Sequence, residues 1–85
     1  MEHVTFRAEL GPESPFWDRD GAMLPCEHLR LNTDLCNELT AWVDRQWDLQ
    51  DGTPQAIAWE RHGKELYARV RDAVGNRYDL VWDND

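Results

Sequence analysis

The stretch TPQAIAWERHGKELYARVRDAVGN, residues 53–76, contains a whole helix together with both of its ends. Thr53 can cap the first free amides, Pro54 suits the first helical position, and Gly75–Asn76 is a common left-handed helix stop. Between these ends one stripe of residues recurs at steps of three and four, the period of an amphipathic helix. Its members are Trp59, Gly63, Leu66, Tyr67, Val70, Ala73 and Val74. The stretch therefore predicts a long helix with one buried face.

Gly63 is the unexpected member of this stripe. A glycine in the middle of a helix costs about 1 kcal/mol relative to alanine. Because Gly63 lies on the face that packs, it predicts that a neighbouring backbone or aromatic ring approaches the helix closely at this point.

A second amphipathic helix is predicted just upstream, from Leu31–Asn32 to about Gln50. Asn32 can cap its first turn, and Asp34 is favourably placed near the positive end of the helix dipole. Its buried face consists of Leu35, Leu39, Trp42, Val43 and Leu49. Since the break at Asp51–Gly52 leaves only a short linker, the two helices should form an antiparallel hairpin.

Short strands are predicted near both ends of the chain, where apolar and polar residues alternate with a period of two. The apolar positions are Val4, Phe6, Ala8 and Leu10 in the first strand, and Tyr78, Leu80 and Trp82 in the last. Residues 11–31 hold three of the four prolines and should be mostly irregular. Within them, the turn signal Asp20–Gly21 could fold Phe16–Asp18 back onto Ala22–Leu24 as a short hairpin.

Two isolated strands are barely stable, so the terminal strands should pair beneath the helices. We therefore predict a single small α+β domain spanning residues 1–85. It has two layers, with a helical hairpin packed on a small antiparallel sheet. The element order is strand, short hairpin or turn, helix, helix, strand.

The composition is acidic, with 17 acidic and 9 basic side chains and a net charge of −8. This charge argues against direct nucleic-acid binding, which needs clustered lysine and arginine. It suits a partner protein with a basic surface, and it also suits solubility alone. No segment is apolar enough for a membrane span and no secretion signal is recognisable, so we predict a cytoplasmic protein without membrane attachment.

Cys26 and Cys36 are the only cysteines of the chain. In the absence of a secretion signal we expect both thiols to be reduced rather than bridged. His28 lies between them, but this string has no convincing fourth ligand, so no metal site is predicted. No cofactor is predicted either, because no glycine-rich loop follows a strand and opens a helix.

No arrangement of residues predicts catalysis. Ser14 is the only serine and has no nucleophile motif around it. The acidic turn Asp18–Gly21 does not continue as a calcium-binding loop, because glycine and glutamate are missing from the later positions that need them. We therefore predict that the protein is not an enzyme.

Phe16 and Trp17 lie side by side between a proline and the Asp20–Gly21 turn. Such a pair can plug the core or can be offered to a partner, and we expect one ring to cap the core and the other to be partly exposed. Exposed aromatic residues among carboxylates are typical of a hot spot for a basic partner. The predicted partner-binding residues are Phe16, Trp17, Asp18, Asp20, Asp44, Asp48 and Asp51. Trp47, on the flank of the first helix, is expected to be half-buried.

Five short motifs are spread along the chain. They are Phe16–Trp17–Asp18, Leu29–Arg30–Leu31–Asn32, Ala41–Trp42, Gly63–Lys64–Glu65–Leu66 and the closing aromatic strand from Tyr78 to Trp82. Together they resemble a loose group of small acidic proteins from high-GC bacteria, and eight arginines against one lysine fit such a source. The resemblance covers most of the chain and implies a shared fold, but it carries no activity and no functional residue over to this chain.

The leading interpretation is a non-enzymatic protein-binding domain whose acidic, aromatic face engages a basic partner. An immunity-type or antitoxin-like inhibitor is the concrete form of this hypothesis. Two alternatives stay open. A DNA-mimic inhibitor would present carboxylates at phosphate-like spacing over a long surface, and a small structural or regulatory subunit would self-associate through an apolar patch, as a homo-oligomer does.

Overall fold

The computed structural model of the chain describes residues 2–84. Within them lie four strands and two α-helices: β1 (Glu2–Phe6), β2 (Phe16–Trp17), β3 (Met23–Leu24), α1 (Thr33–Asp44), α2 (Pro54–Val74) and β4 (Tyr78–Trp82). Short 3₁₀ turns occur at Cys26–Leu29, Arg45–Asp48 and Gly75–Arg77. The two helices pack on the sheet, so the predicted α+β class, two-layer packing and element order are confirmed.

The sheet has the strand order β3-β2-β1-β4 and is mixed, which corrects the predicted antiparallel sheet. β2 is antiparallel to both β1 and β3, and the β2–β3 pair is the short hairpin predicted around Asp20–Gly21. β1 and β4 pair as predicted, but they run parallel, with Val4 opposite Leu80 and Phe6 opposite Trp82.

The parallel pairing follows from the path of residues 25–32. The turn Cys26–Leu29 carries the chain back to the end of the sheet where β1 begins, since His28 Nε2 lies 2.9 Å from a carboxylate oxygen of Glu2. The hydroxyl of Tyr78, the first residue of β4, donates to the His28 carbonyl at 3.1 Å. α1 therefore starts at that end, α2 returns to it, and β4 enters the sheet in the same direction as β1.

Both helices begin at the predicted caps. The Asn32 side chain accepts a hydrogen bond from the Leu35 amide at 2.7 Å. Thr53 Oγ1 accepts one from the Ala56 amide at 3.2 Å. α2 also ends where predicted, at Gly75, whose φ of 57° lies in the region that favours glycine.

α1 is shorter than predicted, because it ends at Asp44 and not at about Gln50. The chain tightens there into the 3₁₀ turn Arg45–Asp48, and the backbone becomes extended at Leu49. Residues 45–50 therefore do not continue the helical periodicity of α1, and their side chains do not extend its buried face.

Replacing Asn32 with alanine is expected to lower the free energy of unfolding by about 1 kcal/mol, because the Leu35 amide loses its acceptor. Urea denaturation followed by circular dichroism measures the change. Asn37→Ala is the matched control, since Asn37 is exposed in the interior of α1, where alanine is the better helix former. An equal loss of stability in both variants would contradict the capping role.

Phe6 lies at the centre of the core and is fully buried between the sheet and the helices. Its ring centroid is 5.4 to 5.7 Å from the centroids of four other rings. They belong to Phe16, Trp42, Tyr67 and Trp82. Because each buried aromatic side chain removes about 150–250 Å² from water, this cluster supplies much of the core that a small domain needs.

Trp42 and Trp59 join the two helices. Their rings stack at 4.4 Å, and each indole N–H donates to the other residue's backbone carbonyl, at 2.8 and 2.6 Å. Gly63 of α2 faces the Trp42 ring, because a Cβ at Gly63 would lie 2.7 Å from Cε2 of Trp42. The predicted close approach at Gly63 is confirmed, and the neighbour is an aromatic ring.

Cys26 and Cys36 form a disulfide, so the prediction that their thiols are reduced is wrong. The turn Cys26–Leu29 folds back against α1, which brings the two Cα atoms to 5.9 Å. The bond ties the segment that follows β3 to the first turn of α1. Sequence reasoning failed because it inferred the redox state from the expected compartment, whereas the fold sets the distance between the two residues.

Candidate functional site

Phe16 and Trp17, the predicted aromatic anchors, are both buried. Phe16 lies on the core face of the sheet, opposite Phe6. Trp17 lies on the other face and is nevertheless only 7% exposed. Its indole N–H donates to the Arg7 carbonyl at 2.8 Å, and the Arg7 guanidinium lies 5.1 Å from the ring centroid. The expectation that one of the two rings is partly exposed is therefore wrong, because Phe16 lies in the core and Arg7 covers Trp17.

Asp18 and Asp20 belong to the turn between β2 and β3. Asp18 Oδ1 accepts hydrogen bonds from the amides of Asp20 and Ala22, at 2.9 and 2.8 Å, and Gly21 completes the turn with a φ of 86°. Asp20 is exposed. Since Trp17 is buried, this turn presents charged side chains without an aromatic anchor.

Trp47, in the 3₁₀ turn after α1, is the most exposed tryptophan, with 62% of the residue exposed. The expectation that it is half-buried is corrected. Three of the predicted acids, at positions 44, 48 and 51, are exposed in the same segment. Leu10, 54% exposed, belongs to the loop that meets this segment. We name this surface the Trp47 face, and it comprises Leu10, Glu13, Asp44, Trp47, Asp48 and Asp51.

A hollow of about 340 Å³ opens on the Trp47 face. One wall is the loop Gly11–Glu13, another is the exposed side of α1 up to Asp44, and Trp47 also lines it. Ala41 and Val43 add apolar surface. The hollow thus combines an aromatic ring, apolar groups and carboxylates that come from two separate parts of the chain.

The carboxylates of the Trp47 face lack a basic partner. Within residues 2–84 none of the four forms an ion pair, whereas Glu38 on the other side of α1 contacts Arg69 at 2.6 Å. Arg45, the basic residue nearest in sequence, lines a separate hollow together with Trp42 and His62. The Trp47 face therefore carries negative charge that the described part of the chain does not compensate.

A second hollow, of about 360 Å³, adjoins the first. Leu10 and Gln46 line the second hollow, and the residues that follow them in the chain, Gly11 and Trp47, line the first. We name the second hollow the Gln46 hollow. The Gln46 Nε2 atom lies 3.5 Å from the Ala8 carbonyl oxygen. Gln46 Oε1 is buried and accepts no hydrogen bond from residues 2–84. The principal groups around it are Leu10, Leu49, Asp51, Trp59 and Glu60.

No group of three or more histidine, cysteine, aspartate or glutamate side chains within residues 2–84 could hold a metal ion. The described helices are also too short or too polar to cross a bilayer. His28 and His62 contact single carboxylates at the surface, Glu2 at 2.9 Å and Glu65 at 3.5 Å.

Sequence analysis identified three acids of this surface and missed its aromatic residue. It placed Trp47 on the flank of a helix that continued to about Gln50, whereas α1 ends at Asp44 and the following turn exposes the ring. A usable signal was present, because Asp44, Asp48 and Asp51 surround a tryptophan that does not belong to the buried stripe.

No protein-family model matches the chain, and no curated protein is detectably similar to it in sequence. The resemblance to small acidic proteins of high-GC bacteria therefore stays a prediction. The geometry and the charge of the Trp47 face are the indications of function that the chain itself provides.

Proposed function

We propose that the protein is a non-enzymatic protein-binding domain that engages a basic partner protein through the Trp47 face. The observation that carries this proposal is Trp47 itself, a 62% exposed residue among carboxylates that have no ion-pair partner within residues 2–84. Tryptophan is enriched among the residues that dominate binding energy in protein interfaces. The concrete form is an immunity-type or antitoxin-like inhibitor, which occludes its partner and performs no chemistry on it.

The ring and the carboxylates have different tasks in this proposal. Trp47 supplies apolar contact area that is released from water when it enters a recess of the partner. The carboxylates, together with the net charge of −8, attract a basic surface and orient it before contact. Affinity should therefore depend on the ring, and the association rate should depend on salt.

The two alternatives fit the Trp47 face less well. A DNA mimic needs carboxylates arranged like phosphates, and it gains nothing from an exposed tryptophan among them. Self-association through this face would bring like charges together, which costs several kcal/mol in an interface. A basic partner protein satisfies both the aromatic ring and the unpaired carboxylates.

The disulfide bears on where the protein acts. Disulfides persist in oxidising compartments and are rare in the cytosol, where thiols are kept reduced. Because Cys26 and Cys36 are bonded, we propose action in an oxidising environment as the alternative to the predicted cytoplasm.

Replacing Trp47 with alanine is expected to lower affinity for the basic partner at least about 30-fold, the effect of losing a hot-spot residue of about 2 kcal/mol. The oxidised protein is immobilised, partners are captured from a lysate of the source organism at low salt, and mass spectrometry identifies them. Affinity is then measured between the purified proteins. The stability of Trp47→Ala should equal that of the unmodified protein, because the ring is exposed.

Ile57→Ala is the matched control for this experiment. Ile57 is 56% exposed on α2 and lies outside the Trp47 face, so its removal should leave affinity unchanged. Asp48→Lys should weaken binding and reduce its salt dependence, while Asp20→Lys in the β2–β3 turn should have a smaller effect. A partner without a basic surface, or one that Trp47→Ala binds as tightly, would refute the proposed function.

A further inference from the structure

The side chain of Gln46 carries a hydrogen-bond acceptor without a partner, and attraction between charged surfaces does not explain it. Its Oε1 atom is fully buried, and no donor within residues 2–84 reaches it. The amide nitrogen of the same side chain is directed toward the Ala8 carbonyl, so the oxygen is the end that lacks a partner. A buried acceptor without a partner costs about 1–3 kcal/mol, and a donor placed against it recovers that cost.

We propose that the Gln46 hollow receives the side chain of an arginine from the basic partner. The inference rests on the proposed function and adds the chemistry of one recognised residue to it. Where the Trp47 face explains attraction to a basic surface, the Gln46 hollow distinguishes one basic side chain from another.

Acceptors reach the Gln46 hollow from separate parts of the chain. Gln46 belongs to the 3₁₀ turn after α1, Asp51 to the linker between the helices, and Glu60 to α2. Asp51 forms no ion pair within residues 2–84, and Glu60 has a loose contact with Lys64 at 3.9 Å. A guanidinium spreads five donors over a plane and can reach separate acceptors at once, whereas an ammonium presents three donors at one point.

The other walls suit the rest of an arginine side chain. Leu10 and Leu49 are apolar and can contact the methylene groups of the stem. Trp59 offers an aromatic ring, which is held in place by its stacking on Trp42, and guanidinium groups stack on such rings. The volume of about 360 Å³ is near the lower end of small-ligand pockets, which suits one long side chain.

The charge of the hollow selects the sign of its ligand. Both charged residues that line it, Asp51 and Glu60, are acidic, and no lysine or arginine of the described chain lines it. An anion would be repelled, and a neutral amide would leave Asp51 without an opposite charge. A cation with several donors satisfies the two carboxylates and Gln46 Oε1 together.

Titration of the ¹⁵N-labelled, oxidised protein with Nα-acetyl-arginine amide, followed by NMR, tests the inference. Nα-acetyl-lysine amide is the matched probe, with the same charge and a different head group. We expect the arginine probe to shift the side-chain amide of Gln46 and the backbone amides around the hollow. Its affinity should exceed that of the lysine probe at least about fivefold, because the planar group reaches more acceptors.

Two substitutions separate recognition from a structural role of Gln46. Gln46→Leu removes the acceptor at similar size and should weaken arginine binding about tenfold. Gln46→Glu places a carboxylate there and should strengthen it, which a merely structural role does not predict. Asp20→Asn, in the β2–β3 turn, should leave binding unchanged. Thermal unfolding of each variant verifies that it is folded.

Equal affinity for the two probes, or shifts spread over the whole acidic surface, would overturn the inference. The absence of saturable arginine binding in the millimolar range would do the same. Each of these results leaves capture of a basic partner through Trp47 intact. Conversely, a Trp47→Ala variant that binds the partner as tightly as the unmodified protein refutes the proposed function, whatever the arginine probe does.

Discussion

Replacing Gly63 with alanine is expected to lower the free energy of unfolding by about 3 kcal/mol, the upper end of the usual cost of overpacking a core. In an open helix the same exchange stabilises by about 1 kcal/mol, so the two effects oppose each other. Packing prevails because the added Cβ would lie 2.7 Å from Cε2 and 3.1 Å from Cη2 of Trp42. The Trp42 ring has little freedom to retreat, since it is 1% exposed and is hydrogen-bonded and stacked with Trp59.

Urea denaturation of Gly63→Ala measures this loss, and Ala68→Gly is its matched control. Ala68 is exposed on α2, so removing its Cβ reports helix propensity alone, a loss of about 1 kcal/mol. Combining Gly63→Ala with Trp42→Phe should cost less than the two changes added, because the smaller ring leaves room for the Cβ. A Gly63→Ala variant more stable than the unmodified protein would show that the ring does not lie against Gly63.

Removing the disulfide is also expected to lower the free energy of unfolding by about 3 kcal/mol. The bond joins Cys26 and Cys36, ten residues apart, and the loss of chain entropy in the unfolded state accounts for a value of this size. The total free energy of unfolding of a small domain is about 5–15 kcal/mol, so the bond contributes a large share of the stability here. Its contribution is needed because a chain of 85 residues buries a limited core.

The disulfide prediction is tested by urea denaturation of three samples. The oxidised protein should have the highest midpoint, and the reduced protein and a Cys26→Ser, Cys36→Ser double variant should share a lower one. Hydrogen exchange in the native state should show the loss of protection concentrated in residues 25–36. Equal midpoints before and after reduction would mean that the bond adds no stability, and two free thiols in the oxidised sample would mean that it does not form.

The helices were predictable because their signals lie within a few residues of each other. The caps at Asn32 and Thr53 bond amides three residues on, and the stop at Gly75 depends on one backbone angle. Gly63 could be assigned a close neighbour for the same reason, since its position in the stripe placed it on the packed face. The identity of that neighbour required the structure, because Trp42 lies on the other helix.

The direction of β4 and the disulfide were not predictable, because both depend on one irregular segment. Residues 25–32 contain no periodic pattern, yet their path returns the chain to the start of β1 and brings Cys26 beside Cys36. A single reversal of chain direction there changes the sheet from antiparallel to mixed. Contacts such as that of His28 with Glu2 join residues far apart in sequence, and no local rule indicates them.

The candidate site divides in the same way between sequence and structure. The amino-acid sequence established an acidic α+β domain and placed Asp44, Asp48 and Asp51 on a solvated surface, because periodicity and charge are properties of neighbouring residues. Tertiary packing determines which tryptophan is exposed to solvent. Arg7, the residue that follows β1, covers Trp17, whereas the early end of α1 leaves Trp47 exposed. Burial depends on what the rest of the chain places over a ring, so Trp17, a candidate for partial exposure, is buried, and Trp47, predicted to be half-buried, is exposed.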